Sequence, residues 1–242
     1  MPGKSLMKTV AATLGFLVAA AGLAFSNPGS GAGMPPDEAL QKLMDGNQHF
    51  VENKLTLAAM SDPATRASLA NSQKPYAVIL TCSDSRVPPE IIFDKGLGEI
   101  FVIRVAGNIP DPVVLGSIEY AAEHLGSTLI MVLGHERCGA VTAAVDSKGK
   151  STGSANIDAI VKVIKPNVQS AAKDCGPCKG VKKCAQTRKS AFVECVIDAN
   201  ARTVAANLTK SSKILRHLAK EKKIRIVAAK YDLDDGMVTL FK

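Results

Sequence analysis

The chain has 242 residues, 46% hydrophobic, 21% charged and 4% aromatic, with 30 basic and 22 acidic side chains for a formal net charge of +8. That balance is ordinary for a globular protein and provides enough chain for one α/β core. With no Trp and few aromatic rings, stacking platforms for single-stranded nucleic acid are not expected.

The first 26 residues differ in kind from the rest. Lys4 and Lys8 precede the apolar run "TVAATLGFLVAAAGLAF", which ends at Ala24-x-Ser26 before a Gly/Ser/Pro stretch. A basic start, an apolar centre and small residues at the end describe a cleavable secretory signal. The run is also at the short edge of a membrane span, so an uncleaved N-terminal anchor is the alternative and the one expected route to a membrane. No cysteine stands at the cleavage point and no twin arginine precedes it. The expected organisation is a signal over 1–26, a linker over 27–36 and a single domain over 37–242. The product is exported, either periplasmic or secreted. Cleavage removes two lysines and no acid, leaving a net charge of +6. Much of that excess follows Lys162, in "CKGVKKC" and "KEKKIRI", and is read as a solvated basic face.

After the linker, "PPDEALQKLMDGNQHFVEN" opens with prolines and an acidic turn, then places Leu40, Leu43, Met44 and Phe50 at helical spacing. From Tyr76 the pattern becomes short apolar runs alternating with helices. "YAVILT", "EIFVIRV" and "TLIMVLG" are predicted strands, with "PVVLGSIEYAAEHL" a helix between the last two. Helices follow over "AFVECVIDANARTVAANL" and "SKILRHLAKEKK". "IRIVAAKYDL", the turn "DDG" and "MVTLF" then close the chain as a hairpin. Continuous apolar strands separated by helices predict an α/β fold: a mostly parallel sheet flanked by helices, with an antiparallel edge strand.

Ligands in such sheets gather at the carboxyl ends of strands. Two segments begin there. "TCSDSR" supplies Cys82, Asp84 and Arg86, and "GHERCGAV" supplies His135 and Cys138. Two thiolates and an imidazole form a borderline-soft donor set suited to zinc, and three ligands leave a fourth position open. Zinc lowers the pKa of a water in that position to about 7. At alternate positions of extended chain, Asp84 and Arg86 would share the face that Cys82 uses. Arg86 would then hold Asp84 as a carboxylate, which either accepts a hydrogen bond from the metal's oxygen ligand or binds the metal itself.

"CSDSRVPPEIIFD", "GEIFVIRVAGN", "GSIEYAAEHLG" and "GHERCGAV", in that order, resemble the β-class carbonic anhydrases. The likeness runs from about Asp37 to Lys242 and includes "GNQHFVEN" and "YDLDDGMV". It implies one zinc per chain held by Cys82, His135 and Cys138, with Asp84 and Arg86 as the catalytic dyad. The reaction implied is reversible hydration of CO2 to bicarbonate by zinc-bound hydroxide. A homodimer or higher homo-oligomer is implied as well, with the site near the subunit interface. Gln73, nine residues before Cys82, matches the pocket glutamine of plant-like members, and Phe101 matches an apolar pocket residue. Gly107 with Asn108 matches a loop beside the site, so Gln73, Phe101 and Gly107 are the expected substrate contacts. Val114 stands near the place of a pocket tyrosine that this chain lacks. With no Trp for the bicarbonate-inhibited type of site, the zinc is expected to be open, with Asp84 paired to Arg86. His49, His124 and His217 are read as surface or packed residues rather than as a proton shuttle.

Four further cysteines, Cys175, Cys178, Cys184 and Cys195, lie outside this resemblance. In an exported chain an even number suggests disulfides, here bridging a Lys- and Gly-rich excursion at about 172–186. "CGPC" is also a thiol-redox motif, so a redox or non-catalytic module is one alternative function. A zinc hydrolase of COS or CS2 on the same scaffold is another.

Overall fold

The computed structural model describes residues 33–56, 60–174 and 184–242. The expected signal, Cys175 and Cys178, and the side chain of Cys184 lie outside that set. In chain order the elements are α1 (Pro36–Val51), α2 (Pro63–Leu69), β1 (Ala77–Thr81), α3 (Pro89–Ile92), β2 (Ile100–Arg104), α4 (Pro112–Glu123) and β3 (Leu129–His135). They continue with α5 (Gly139–Ser147), α6 (Ala155–Asp174), α7 (Cys184–Ser211), α8 (Lys213–Lys220), β4 (Arg225–Tyr231) and β5 (Val238–Leu240). No helix among the described residues is long and apolar enough to cross a membrane.

The strands form one sheet in the order β2-β1-β3-β4-β5, parallel except for the antiparallel β4–β5 pair. This is the predicted architecture, and the closing hairpin is present. Every residue of β1 and β3 is buried, as expected of strands covered on both faces. From β1 the chain goes to β2 on one side, then crosses back to place β3 on the other. The carboxyl ends of β1 and β3 therefore flank the point where the crossover direction reverses, the usual ligand crevice of open parallel sheets. Thr81 pairs with Leu133 and its hydroxyl donates to the Leu133 carbonyl at 2.9 Å, so Cys82 leaves its strand close to His135.

Alternate strand residues feed two cores. Ala77, Ile79, Leu129, Met131 and Leu133 pack with Leu40 and Leu43 of α1. On the opposite face Val78, Leu80, Ile130 and Val132 meet residues of α4, α7 and α8, among them Ile118, Val204 and Leu215. A third cluster joins α5, α6 and α7 around Cys82 and Cys138, with Val141, Ile164, Val196 and Ile197 as its apolar walls.

Asp94 ties α1 and the following loop to the end of α3. Its side chain is 1% exposed and accepts from the His49 ring at 2.9 Å, the Thr56 amide at 2.7 Å and the Thr56 hydroxyl at 2.9 Å. Burial alone raises the pKa of this carboxyl, but the Thr56 and His49 donors together hold it below its usual 3.8. A depressed carboxylate pKa contributes stability that is present above the unfolded value and lost as pH falls through the folded one. Asp94→Asn is thus expected to cost about 1–3 kcal/mol near neutral pH. Its deficit against wild type should shrink below about pH 4, as thermal melts across that range would show.

Candidate metal centre

The site is assembled from two strand ends and the turns that leave them. After β3, Arg137 adopts a left-handed backbone (φ 51°), and its N–H donates to Glu194 of α7 at 2.8 Å. That turn brings Cys138 to the N-cap of α5, and the Arg137 guanidinium grips Asp234 at 2.8 and 3.0 Å. Cys82 Sγ and Cys138 Sγ lie 4.0 Å apart. These two sulfurs and a His135 ring nitrogen all fall within 4.8 Å of one another, and all three residues are buried.

His135 is 0% exposed. Its Nδ1 lies 2.8 Å from the Glu136 carbonyl oxygen. A carbonyl only accepts, so Nδ1 carries the hydrogen and Nε2 presents a lone pair. That buried Nε2 has no hydrogen-bond partner, a costly state unless a cation takes the lone pair. Two thiolates on tetrahedral zinc at about 2.3 Å would stand roughly 3.8 Å apart, so the observed sulfur spacing fits such an ion. The Cys82 and Cys138 sulfurs share one hydrogen bond, which, with the Gly107 N–H, holds the Cys82 thiol well below its usual range. Sharing that proton, together with burial, pushes Cys138 upward. Binding a dication as two thiolates must therefore release the shared proton.

Asp84 faces the same point, with Oδ2 at 4.0 Å from His135 Nε2. Arg86 holds it in a fork: Nε donates to Oδ1 at 2.9 Å and Nη2 to Oδ2 at 2.7 Å. These bonds, chiefly, keep the Asp84 carboxyl far below the usual carboxylate range. The pairing is as expected, but the backbone route to it is not extended chain. Val87 N donates to the Asp84 carbonyl at 3.0 Å and Arg86 N to Asp84 Oδ1 at 3.0 Å. A tight turn folds the guanidinium back onto the carboxylate, where alternation along a strand would have left the two side by side.

Gly107 is also brought to the site, with its N–H 3.3 Å from Cys82 Sγ. Its φ is +72°, a left-handed conformation that favours glycine, and a Cβ there would press on Ile164 Cδ1 at 2.8 Å. Its N–H serves a sulfur, whereas a substrate contact was expected. Gln73 and Phe101 are not brought to Cys82 within the chain. Phe101 pairs with Val78, four residues and roughly 13 Å up the strand, and packs on the α4 side of the sheet. Gln73 lines a separate open cavity of about 480 Å³ with Arg66, Leu69 and Leu97. Val114 is buried at the start of α4. His49 pairs with Asp94, His124 with Glu123 and His217 with Glu221.

Arg104, at the end of β2, was not singled out from sequence. Its Nε donates to the Cys82 carbonyl at 3.1 Å and its Nη2 to the Asp84 carbonyl at 2.6 Å, pinning the backbone that carries thiol and acid. The available clue was a guanidinium ending an otherwise apolar strand. Glu194, which holds the turn between His135 and Cys138, left no such trace.

A family model described as "Carbonic anhydrase" matches residues 77–238. The chain belongs to the carbonic anhydrase family. It is 39% identical over 206 residues to carbonic anhydrase 2 of Mycobacterium tuberculosis (strain ATCC 25618 / H37Rv), covering 85% of this chain and 92% of that one. It is 26% identical over 214 residues to beta carbonic anhydrase 3 of Arabidopsis thaliana, covering 85% and 78%. Among solved structures, the Coccomyxa β-carbonic anhydrase in complex with acetazolamide superposes with a TM-score of 0.64 at 23% identity, covering 84% of this chain and 86% of that one. Tetrameric β-carbonic anhydrases from Sordaria macrospora give 0.63 at 21% identity, covering 84% and 97%. The fold is that of the β-class carbonic anhydrases.

Proposed function

We propose that this carbonic anhydrase is a zinc enzyme that interconverts CO2 and bicarbonate, with Cys82, His135 and Cys138 holding the metal. The observation that carries the metal assignment is the buried, partnerless His135 Nε2, facing two thiols on one side and the Asp84 carboxylate on the other. Zinc, when bound, supplies Lewis acidity that brings a coordinated water's pKa to about 7. The protein's own groups do the rest. Asp84, kept ionised by the Arg86 fork, is acceptor-only; it takes a hydrogen bond from the attacking oxygen and leaves that oxygen's lone pair turned toward CO2. Arg86, by holding Asp84 in that fork, would keep the carboxylate from taking a place on the metal. Arg104 holds the backbone of both.

Substrate contacts from Gln73 and Phe101 require a second chain, because neither reaches its own Cys82. The active unit is a dimer in which each subunit lends these residues to its partner. Support comes from β2, an edge strand whose residues Ile100–Ile103 are only partly covered, and from exposed Val113 and Tyr120 on the adjoining α4. Gln73→Leu is expected to lower kcat/KM about tenfold, the effect of losing one good hydrogen bond, with zinc content unchanged. A monomeric mass by light scattering in fully active protein would remove this arrangement.

The signal over 1–26 exports the protein, and bridges among Cys175, Cys178, Cys184 and Cys195 stiffen its basic excursion. Cys195 is disulfide-bonded, whereas Cys82 and Cys138 are free thiols. Metal must therefore reach these two before they mispair. Peptide mapping that found either of them in a disulfide in active enzyme would refute that account. The deciding experiment for the function is stopped-flow CO2 hydration by the chain from Asn27, with zinc determined on the same sample. Fast hydration that vanishes on zinc removal is expected; one zinc per chain without hydration would overturn the substrate, with COS and CS2 tested next.

A further inference from the structure

Two buried side-chain amides on different helices lead in sequence to the metal centre. Asn167 of α6 and Asn200 of α7 are 6% and 1% exposed. Asn167 Nδ2 donates to Asn200 Oδ1 at 2.8 Å, and Asn200 Nδ2 donates to the Gly107 carbonyl at 3.0 Å. The Gly107 N–H, in turn, lies 3.3 Å from Cys82 Sγ. The amide orientations follow from chemistry: a carbonyl only accepts, so Nδ2 of Asn200 must face Gly107 and its oxygen must face Asn167.

We propose that Asn200 is a positioning residue for the metal centre: by holding the Gly107 carbonyl it restrains rotation about the Gly107 φ and ψ bonds, which join that carbonyl to the preceding peptide, whose N–H donates to the Cys82 sulfur. Gly107 is the softest backbone point in the loop, at φ 72° and ψ 17°, and nothing in its own side chain restrains it. Ile164 and Ala140 close the space where a Cβ would sit but exert no pull on the carbonyl. Asn200 supplies that pull, and Asn167 keeps the Asn200 amide from rotating. An N–H donated to the Cys82 sulfur would hold that sulfur in one place and alter its charge-transfer energy, and loss of such an outer partner weakens metal binding. The proposal rests on Cys82 being a ligand.

The test substitutes Asn200→Leu, of similar volume but without a donor, and loads wild type and variant with cobalt(II). The readouts are the near-ultraviolet thiolate-to-cobalt charge-transfer band and cobalt affinity by chelator competition. In a variant whose circular dichroism matches wild type, the band is expected to move and the affinity to fall at least about tenfold. Asn167→Leu leaves the Asn200 donor but releases its amide, and should move both readouts the same way by less. A lowered melting temperature with band and affinity unchanged would make Asn200 a packing residue only and overturn the proposal. If Asn200→Leu does not fold, an unchanged band and affinity in Asn167→Leu does so instead. Wild type lacking any thiolate-to-cobalt band would overturn the metal reading itself, whereas an intact wild-type band with unmoved variants overturns only the role of Asn200.

Discussion

Cys82→Ser is expected to abolish zinc binding and CO2 hydration together, with Cys138→Ser and His135→Ala behaving alike. Each variant leaves two protein donors where the site offers three buried ones, and a neutral hydroxyl is a far poorer zinc ligand than a thiolate. Loss of an outer partner of a zinc ligand alone costs 10–100-fold in affinity, so loss of a ligand should exceed about 100-fold. His135→Ala also removes the imidazole whose Nδ1–H is anchored on the Glu136 carbonyl, leaving a void in a fully buried position. Metal analysis after dialysis, paired with stopped-flow rates, measures both effects. Cys175→Ser and Cys178→Ser should leave zinc content and rate unchanged. The opposite pattern, with hydration tolerant of Cys82→Ser and sensitive to Cys175→Ser, would replace the zinc lyase with a thiol-redox module.

Asp84→Asn is expected to separate metal from chemistry. Zinc should be retained, because the loop is fastened through backbone carbonyls by Arg104 and the three ligand atoms are untouched. The rate should fall about 10²–10⁴-fold, the range for a group that handles the reacting proton. An amide places a donor where the geometry needs an acceptor, and it loses one arm of the Arg86 fork. Arg86→Lys should fall between wild type and Asp84→Asn, since a lysine offers a point charge without the planar pair of donors. Undiminished hydration by Asp84→Asn with full zinc would take the pair out of the mechanism.

Particular residues show how far sequence carried the site. Cys82, His135 and Cys138 were legible because they stand at, or within three residues of, the end of an apolar strand, and strand ends in a parallel sheet share one edge. Asp84 and Arg86 were legible as a pair by proximity in sequence, although the tight turn that joins them was not: its bonds are two and three residues long and compete with extended chain on nearly equal terms. Gly107 was visible as a glycine in a loop, yet its partner was not, since the sulfur it serves lies 25 positions earlier. Gln73 and Phe101 show the converse. Position before or within a strand says which end of the sheet a residue occupies, and both occupy the end away from their own Cys82.

The amino-acid sequence by itself determined the fold class and the sheet's core strands, and it marked the Cys82, His135 and Cys138 donors and the Asp84–Arg86 pair that the structure brings together. These are encoded in local periodicity and in donor chemistry that few other side chains can supply. Only the tertiary structure decided what braces them. Arg104 reaches the Cys82 carbonyl across 22 positions, Glu194 the Arg137 amide across 57, and Asn200 the Gly107 carbonyl across 93. Such side-chain-to-backbone bonds obey no period and use residues that serve equally well on any helix surface. Their meaning appears only when packing brings a lone donor or acceptor beside a backbone group distant in sequence.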